Sequence, residues 1–235
     1  MHSINGDTMK KILLILMCCV LTFVTVFKIC YRVDDTISDV IKNVNISPTV
    51  VIDAGHGGLD AGTVGIDGSL EKGINLSIAL NLYDFLTVSG IKCELTRSGD
   101  NEVYKDGEDR SRSDLYNRMD YINSFENPVL ISIHQNHFEN ESEHGTQIWY
   151  SSNNDESKII ADKILNSIKD NLQPDNDREN KESGSDYYLL FKAKAPSVMV
   201  ECGFVSNREE NSKLQDISYQ KKMAYSILYG LSEEV

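Results

Sequence analysis

The chain has 235 residues, 40% of them hydrophobic and 25% charged, with a formal net charge of −13. That composition excludes a disordered, collagenous or low-complexity protein, and the presence of one long apolar run excludes a polytopic membrane protein. The first 32 residues hold four Lys or Arg and one Asp, so the rest carries −16, and a body that acidic repels phosphate backbones, which argues against nucleic acid as a partner.

Ile12 to Phe27 is an uncharged run of sixteen residues, preceded by Lys10-Lys11 and followed by Lys28. The positive flank on its N-terminal side predicts a body exported from the cytoplasm. Residues 1–32 are therefore read as a signal peptide or membrane anchor. The run lacks a good small-x-small cleavage site, which favours the anchor. Polar, mildly acidic residues 33–47 read as a linker, and residues 48–235 as one domain. Cys18, Cys19 and Cys30 belong to the apolar segment. Cys93 and Cys202 are the remaining two, too few for a disulfide framework and without a CxxC metal site.

Within the body, Thr49 to Asp53 is a short apolar run ending in a glycine-rich turn, the pattern of a buried strand. Leu70 to Val88 has Ile74, Ile78, Leu82 and Phe85 at helical spacing, closed by Gly90. Ile91 to Thr96 reads as a strand, Arg112 to Phe125 as a helix, and Val129 to His134 as a third buried strand. Gly145 to Tyr150 reads as a strand, followed by a helix from Asn154 to Leu172 and a polar loop over 173–185. Tyr187 to Phe191 and Ser197 to Glu201 read as strands, and Ile217 to Leu231 as a closing helix. Alternating strands and helices predict an α/β domain, a largely parallel twisted sheet of about six strands with helices on both faces, preceded by the N-terminal hydrophobic helix.

Four residues stand where chemistry occurs in such sheets, at the carboxyl ends of strands. His56 follows the first strand in Asp53-Ala-Gly-His-Gly-Gly58, His134 ends the third in Ile131-Ser-Ile-His-Gln-Asn136, and Glu201 ends a late one in Val198-Met-Val-Glu-Cys-Gly203. Glu71 opens the first helix of the body. Two histidines and a carboxylate suit Zn²⁺ with an open fourth position, and a further carboxylate could take a proton from water. Each has a plainer reading: His56 as a turn residue, Glu71 as a first-turn acid favoured by the helix dipole, His134 as a satisfied core histidine. Glu201 resists one, because a carboxylate closing a buried strand is costly to desolvate. The glycine turn lacks Gly-Lys-Ser/Thr and is no phosphate loop.

The stretch Val50-Val-Ile-Asp-Ala-Gly-His-Gly-Gly-Leu-Asp60 resembles the opening motif of the zinc-dependent N-acetylmuramoyl-L-alanine amidase catalytic domain, the amidase-3 family. The resemblance continues through Glu71-Lys72-x-x-Asn75-Leu76, Leu95-Thr-Arg97, Arg118-x4-Asn123, Ser132-Ile-His-Gln-Asn136 and Glu201-x-Gly-Phe-Val-Ser-Asn207, in family order over about residues 49–232. It implies zinc bound by His56, Glu71 and His134, with Glu201 catalytic, and hydrolysis of the amide between N-acetylmuramic acid and L-alanine of peptidoglycan. With one exported domain and no wall-binding repeats, the chain is most similar to the spore-cortex, germination-specific type of endospore formers, in which peptide removal allows muramic-δ-lactam to form. A vegetative wall amidase, a non-catalytic peptidoglycan-binding module and a zinc hydrolase of another bond are the alternatives. The same reading expects contact with the membrane only through the N-terminal segment and allows an accessory protein for targeting or activation.

His137 and His144 are expected outside the ligand set, the first facing away from His134 in an extended strand and the second solvated. Cys202 is expected on the face opposite Glu201, and Asn136 to support the histidine loop. Tyr187 and Tyr188 read as strand residues that could also shape a groove. Phe138 to Gly145 is too short to hold the blocking helix that division-associated amidases of this family insert there, so an open site is expected.

Overall fold

The computed structural model describes residues 49–103 and 110–232. The predicted export segment and linker, with their hydrophobic helix, lie outside these. In chain order the elements are β1 (Thr49–Ala54), α1 (Glu71–Val88), β2 (Lys92–Leu95), α2 (Arg110–Asn123), β3 (Pro128–Asn136), β4 (Gln147–Tyr150), α3 (Glu156–Asn171), β5 (Lys181–Glu182), α4 (Tyr188–Lys192), β6 (Ser197–Phe204), α5 (Arg208–Gln215) and α6 (Ile217–Ser232).

They build a six-stranded sheet in the order β2-β1-β3-β6-β4-β5. β2, β1, β3 and β6 run parallel, and β4 reverses direction against β6. β1 is buried along its whole length, which is why its apolar run is continuous rather than alternating. Residues of opposite parity go to opposite faces. Ile52, Ile131, Ile133, Ile148, Val198 and Val200 pack with Ile78, Leu82, Ile164, Ile168 and Ile227 of α1, α3 and α6 in one large core. Val51 and Leu130 point the other way, into a smaller cluster with Met119 and Ile122 of α2 and Leu189 and Ala193 of α4. Both faces thus carry helices, as the sequence predicts.

Three elements differ from expectation. Tyr187 to Phe191 is not a strand: Tyr188–Lys192 forms the short helix α4. A helical turn places Leu189 and Ala193, four apart, in the α2 cluster while Leu190 is fully buried beside them, an arrangement strict alternation cannot produce. The sixth strand is instead β5, two residues inside the expected 173–185 loop, paired with Trp149 and Tyr150. Finally α5, absent from the sequence reading, starts at Asn207, whose side chain accepts hydrogen bonds from the amides of Glu209 and Glu210. Among the described residues no helix is long and apolar enough to cross a membrane.

Candidate active site

β1, β3 and β6 lie side by side and parallel, so their carboxyl ends converge. Register sets Asp53 beside Ser132 and His134 beside Glu201. Beyond β1 the chain turns sharply. Gly57 and Asp60 exchange backbone hydrogen bonds of 2.9 and 3.0 Å, which brings the Asp60 carboxylate back to within 2.8 Å of His56 Nδ1. His56 itself holds φ +62°, a left-handed conformation costing an ordinary residue roughly 1–3 kcal/mol. Its carbonyl is gripped by Arg118 Nη2 at 2.7 Å, so the strained turn is fixed by a buried cation.

Glu71 is the first residue of α1 and is 2% exposed. Its Oε2 accepts from Thr63 N at 2.8 Å, and its Oε1 accepts from Gln135 N at 3.0 Å and Asn75 Nδ2 at 3.1 Å. Between these fixed oxygens and the imidazoles the gaps are short: 3.3 Å from Oε2 to His56 Nε2 and 3.1 Å from Oε1 to His134 Nδ1. The two rings stand edge to face with centroids 4.9 Å apart. One donor atom from each of His56, Glu71 and His134 falls within 4.8 Å of the others. Two imidazole nitrogens and a carboxylate form a set suited to Zn²⁺, with Asp60 holding His56 from behind in the manner of carboxylates that orient metal-binding histidines. The space around the set is tight. A Cβ on Gly55 would lie 2.2 Å from the His134 ring, and one on Gly62, at φ +66°, would lie 2.7 Å from Glu71 Oε2.

The charges follow from this crowding. Burial disfavours the charged form of His56, yet the Glu71 and Asp60 carboxylates outweigh it and raise its pKa to about 9. Burial likewise acts against the Glu71 carboxylate, but the two histidines hold it well below the usual range. Glu201 goes the other way: burial, reinforced by the negative Glu71, lifts it to about 7 against the pull of His134 and His56. Its Oε2 is enclosed and has no hydrogen-bond partner among the described residues. A poised, unpartnered carboxyl beside three metal-type donors can exchange a proton near neutral pH.

Beneath the site lies a polar network whose roles the sequence reading did not assign. Asp53, 1% exposed, accepts from Arg118 Nη1, Ser132 Oγ and Thr96 Oγ1 at 2.7, 2.7 and 2.8 Å. Burial would raise its pKa, but the Arg118 charge and the Ser132 hydroxyl hold it at about 2. Arg118 also reaches the Ala54 carbonyl and Asp114. Arg97 donates to the carbonyls of Ala54, Gly55, Gly99 and Lys72 at 2.8–3.0 Å. Both arginines stand in the motifs quoted above; their function as clamps on the β1 turn shows only in the fold.

His137 and His144 are exposed and outside the donor cluster. Cys202 is fully buried on the opposite face, in the large core, where burial pushes its thiol up. Asn136 supports the turn after β3, its side chain accepting from His137 N at 2.8 Å. The segment from 138 to 145 contains no helix. A cleft of about 510 Å³ opens over His56 and His134, lined also by Leu59, Asp60, Glu102, Asp186, Tyr187, Tyr188 and Met199.

The N-acetylmuramoyl-L-alanine amidase family, Amidase_3, matches residues 50–233. The chain belongs to this family. It is an N-acetylmuramoyl-L-alanine amidase, an enzyme of peptidoglycan. Among its relatives, the germination-specific N-acetylmuramoyl-L-alanine amidase of Bacillus subtilis is 32% identical over 186 residues, covering 77% of each chain. The amidase AmiA of Escherichia coli is 28% identical over 224 residues, covering 77% of this chain and 74% of its own. Among solved structures, the CwlD amidase of Clostridioides difficile, in complex with the GerS lipoprotein, superimposes with a TM-score of 0.74 at 38% identity over 77% of this chain and 95% of that one.

Proposed function

We propose that His56, Glu71 and His134 bind Zn²⁺ and that Glu201 transfers the proton in hydrolysis of the amide joining N-acetylmuramic acid to L-alanine. The observation that carries this reading is the juxtaposition of three donors within 4.8 Å with an enclosed, unpartnered Glu201 oxygen. When bound, zinc supplies Lewis acidity and lowers the pKa of a coordinated water. Glu201 accepts the proton of the attacking water at its carboxylate and returns it to the departing L-alanine nitrogen, a role suited to an enclosed carboxyl with an unpartnered oxygen. Asp60 fixes His56 with Nδ1 toward itself and Nε2 toward Glu71. The amides of Thr63 and Gln135 and the Asn75 side chain hold Glu71 in place. Arg118 and Arg97 keep the β1 turn in its strained shape.

The biological setting we infer is the spore cortex, with peptide removal leading to muramic-δ-lactam. The similarity to a germination-specific amidase and to CwlD supports it. Residues 1–32 then act as signal peptide or membrane anchor, 33–47 as linker and 48–235 as the catalytic domain, placing the enzyme outside the cytoplasm. CwlD is seen with a lipoprotein, and we extend to this chain an accessory protein for targeting or activation.

Mass spectrometry of muropeptides tests the reading. Sacculi and cortex incubated with the full chain should release peptides beginning with L-alanine, and cortex from a host lacking the gene should lack muramic-δ-lactam. Intact lactam in that host would overturn the cortex assignment; release of peptides cut at another bond would overturn the amide.

A further inference from the structure

The cleft has an aromatic bank that the amidase chemistry leaves unused. Register places Gln147 of β4 beside Glu201 and Trp149 beside Met199. The intervening Ile148 and Val200 point into the large core. Trp149 therefore stands on the sheet face that carries Glu201 and His134, one cross-strand row away. Tyr187 closes over it, the ring centroids 4.7 Å apart and the planes 31° from parallel. Tyr187 and Met199 in turn line the cleft that contains His56 and His134. Trp149 thus buttresses a tyrosine at the wall of the site.

We propose that Tyr187, backed by Trp149, forms a subsite for an N-acetylhexosamine ring of the glycan strand. This deepens the amidase reading and rests on it. The reacting carbonyl belongs to a lactyl group attached directly to a sugar ring, so a pyranose must sit next to the donor cluster whenever the amide does. The C–H faces of a neutral pyranose pack well on an aromatic surface. A stem peptide brings carboxylates and a cationic side chain, and the cleft presents charges of both signs, Asp186, Asp60 and Glu102 with His56 and Arg118. Lys181 Nζ also stands 5.3 Å from the Trp149 ring centroid, so the aromatic surface, and not a net charge, selects the occupant, and the neutral sugar face is what it fits.

Trp149 is the single tryptophan of the chain, so its emission reports on the subsite without turnover and without metal. The full chain is titrated with an uncharged N-acetylglucosamine trisaccharide and, separately, with the stem peptide L-alanyl-D-glutamyl-L-lysine. The sugar should change the emission saturably and the peptide should not. Tyr187→Leu should weaken sugar binding by roughly 2- to 10-fold and Tyr187→Phe should preserve it, as for loss and retention of an aromatic contact. The titration of the parent decides the matter even if a variant fails to fold. No sugar response from a protein that still releases L-alanyl peptides from sacculi overturns the subsite alone, as does a response to the peptide in place of the sugar. A saturable sugar response without peptide release overturns the amidase reading beneath it.

Discussion

The two faces of the same strands divide the protein's work. Along β3, Ile131 and Ile133 enter a dry core while Ser132 and His134, their immediate neighbours, enter a network of charges. β6 repeats the division, with Val198, Val200 and Cys202 inward and Glu201 outward toward His134. One face is held by shape and close packing, and the other by giving buried charges partners, opposite charges for Asp53, Glu71 and Arg118 and backbone carbonyls for Arg97. Glu201 alone among the four candidate residues breaks that second rule, and it is the one the proposed mechanism needs to titrate. The difference teaches that a buried carboxylate oxygen without a partner, next to carboxylates that have several, singles out the candidate for moving a proton.

Substitutions on the two faces should therefore fail in different currencies. The largest effect is expected at the donor cluster. His134→Ala should lose both metal and activity, whereas Glu201→Gln should keep metal near one per chain while turnover falls roughly 10²- to 10⁴-fold. Metal analysis beside the rate of L-alanyl peptide release checks both, and full activity in Glu201→Gln would remove that residue from the chemistry. Below the site, Arg118→Met leaves Asp53 buried and unpaired and should destabilise the fold by about 3–5 kcal/mol, read by chemical denaturation. If Arg118→Met proved as stable as the parent, the charged face would not be held by its pairs.

Acid sharpens the same point. Asp53 has a folded-state pKa of about 2, below its ordinary 3.8. Its contribution to stability should be fully present above pH 4 or so and disappear as pH falls through about 2. Asp53→Asn should flatten that part of the stability-versus-pH curve. The smallest effect is expected on the dry face: Ile148→Val should cost about 0.5–1.5 kcal/mol with kcat unchanged. A change in kcat there would show that the two faces are not separable.

Much of this was legible in the chain itself. β1, β3 and β6 announced themselves as apolar runs, and the four candidate residues stood near the strand ends or at the helix start where a parallel sheet assembles its sites. What escaped had physical reasons. Tyr187 to Phe191 is rich in residues that favour strands, yet burial of Leu189, Leu190 and Ala193 together demands a helical turn. β5 is two polar residues defined only by pairing with β4, so no periodicity exists to read. α5 buries just Glu210, Asn211 and Leu214, too little for an amphipathic pattern. The clamp of Arg118 on Asp53 spans 65 positions, and no local signal connects such residues.

The grip of Arg118 and Arg97 on the carbonyls of Ala54, Gly55 and His56 has a consequence for the order in which the molecule is made. These are side chains of the protein itself, so the bend that presents His56 is set as soon as β1, β2, α2 and α1 have come together. The zinc proposed above would then meet a bend that the protein's own side chains already hold, as a casting meets a mould.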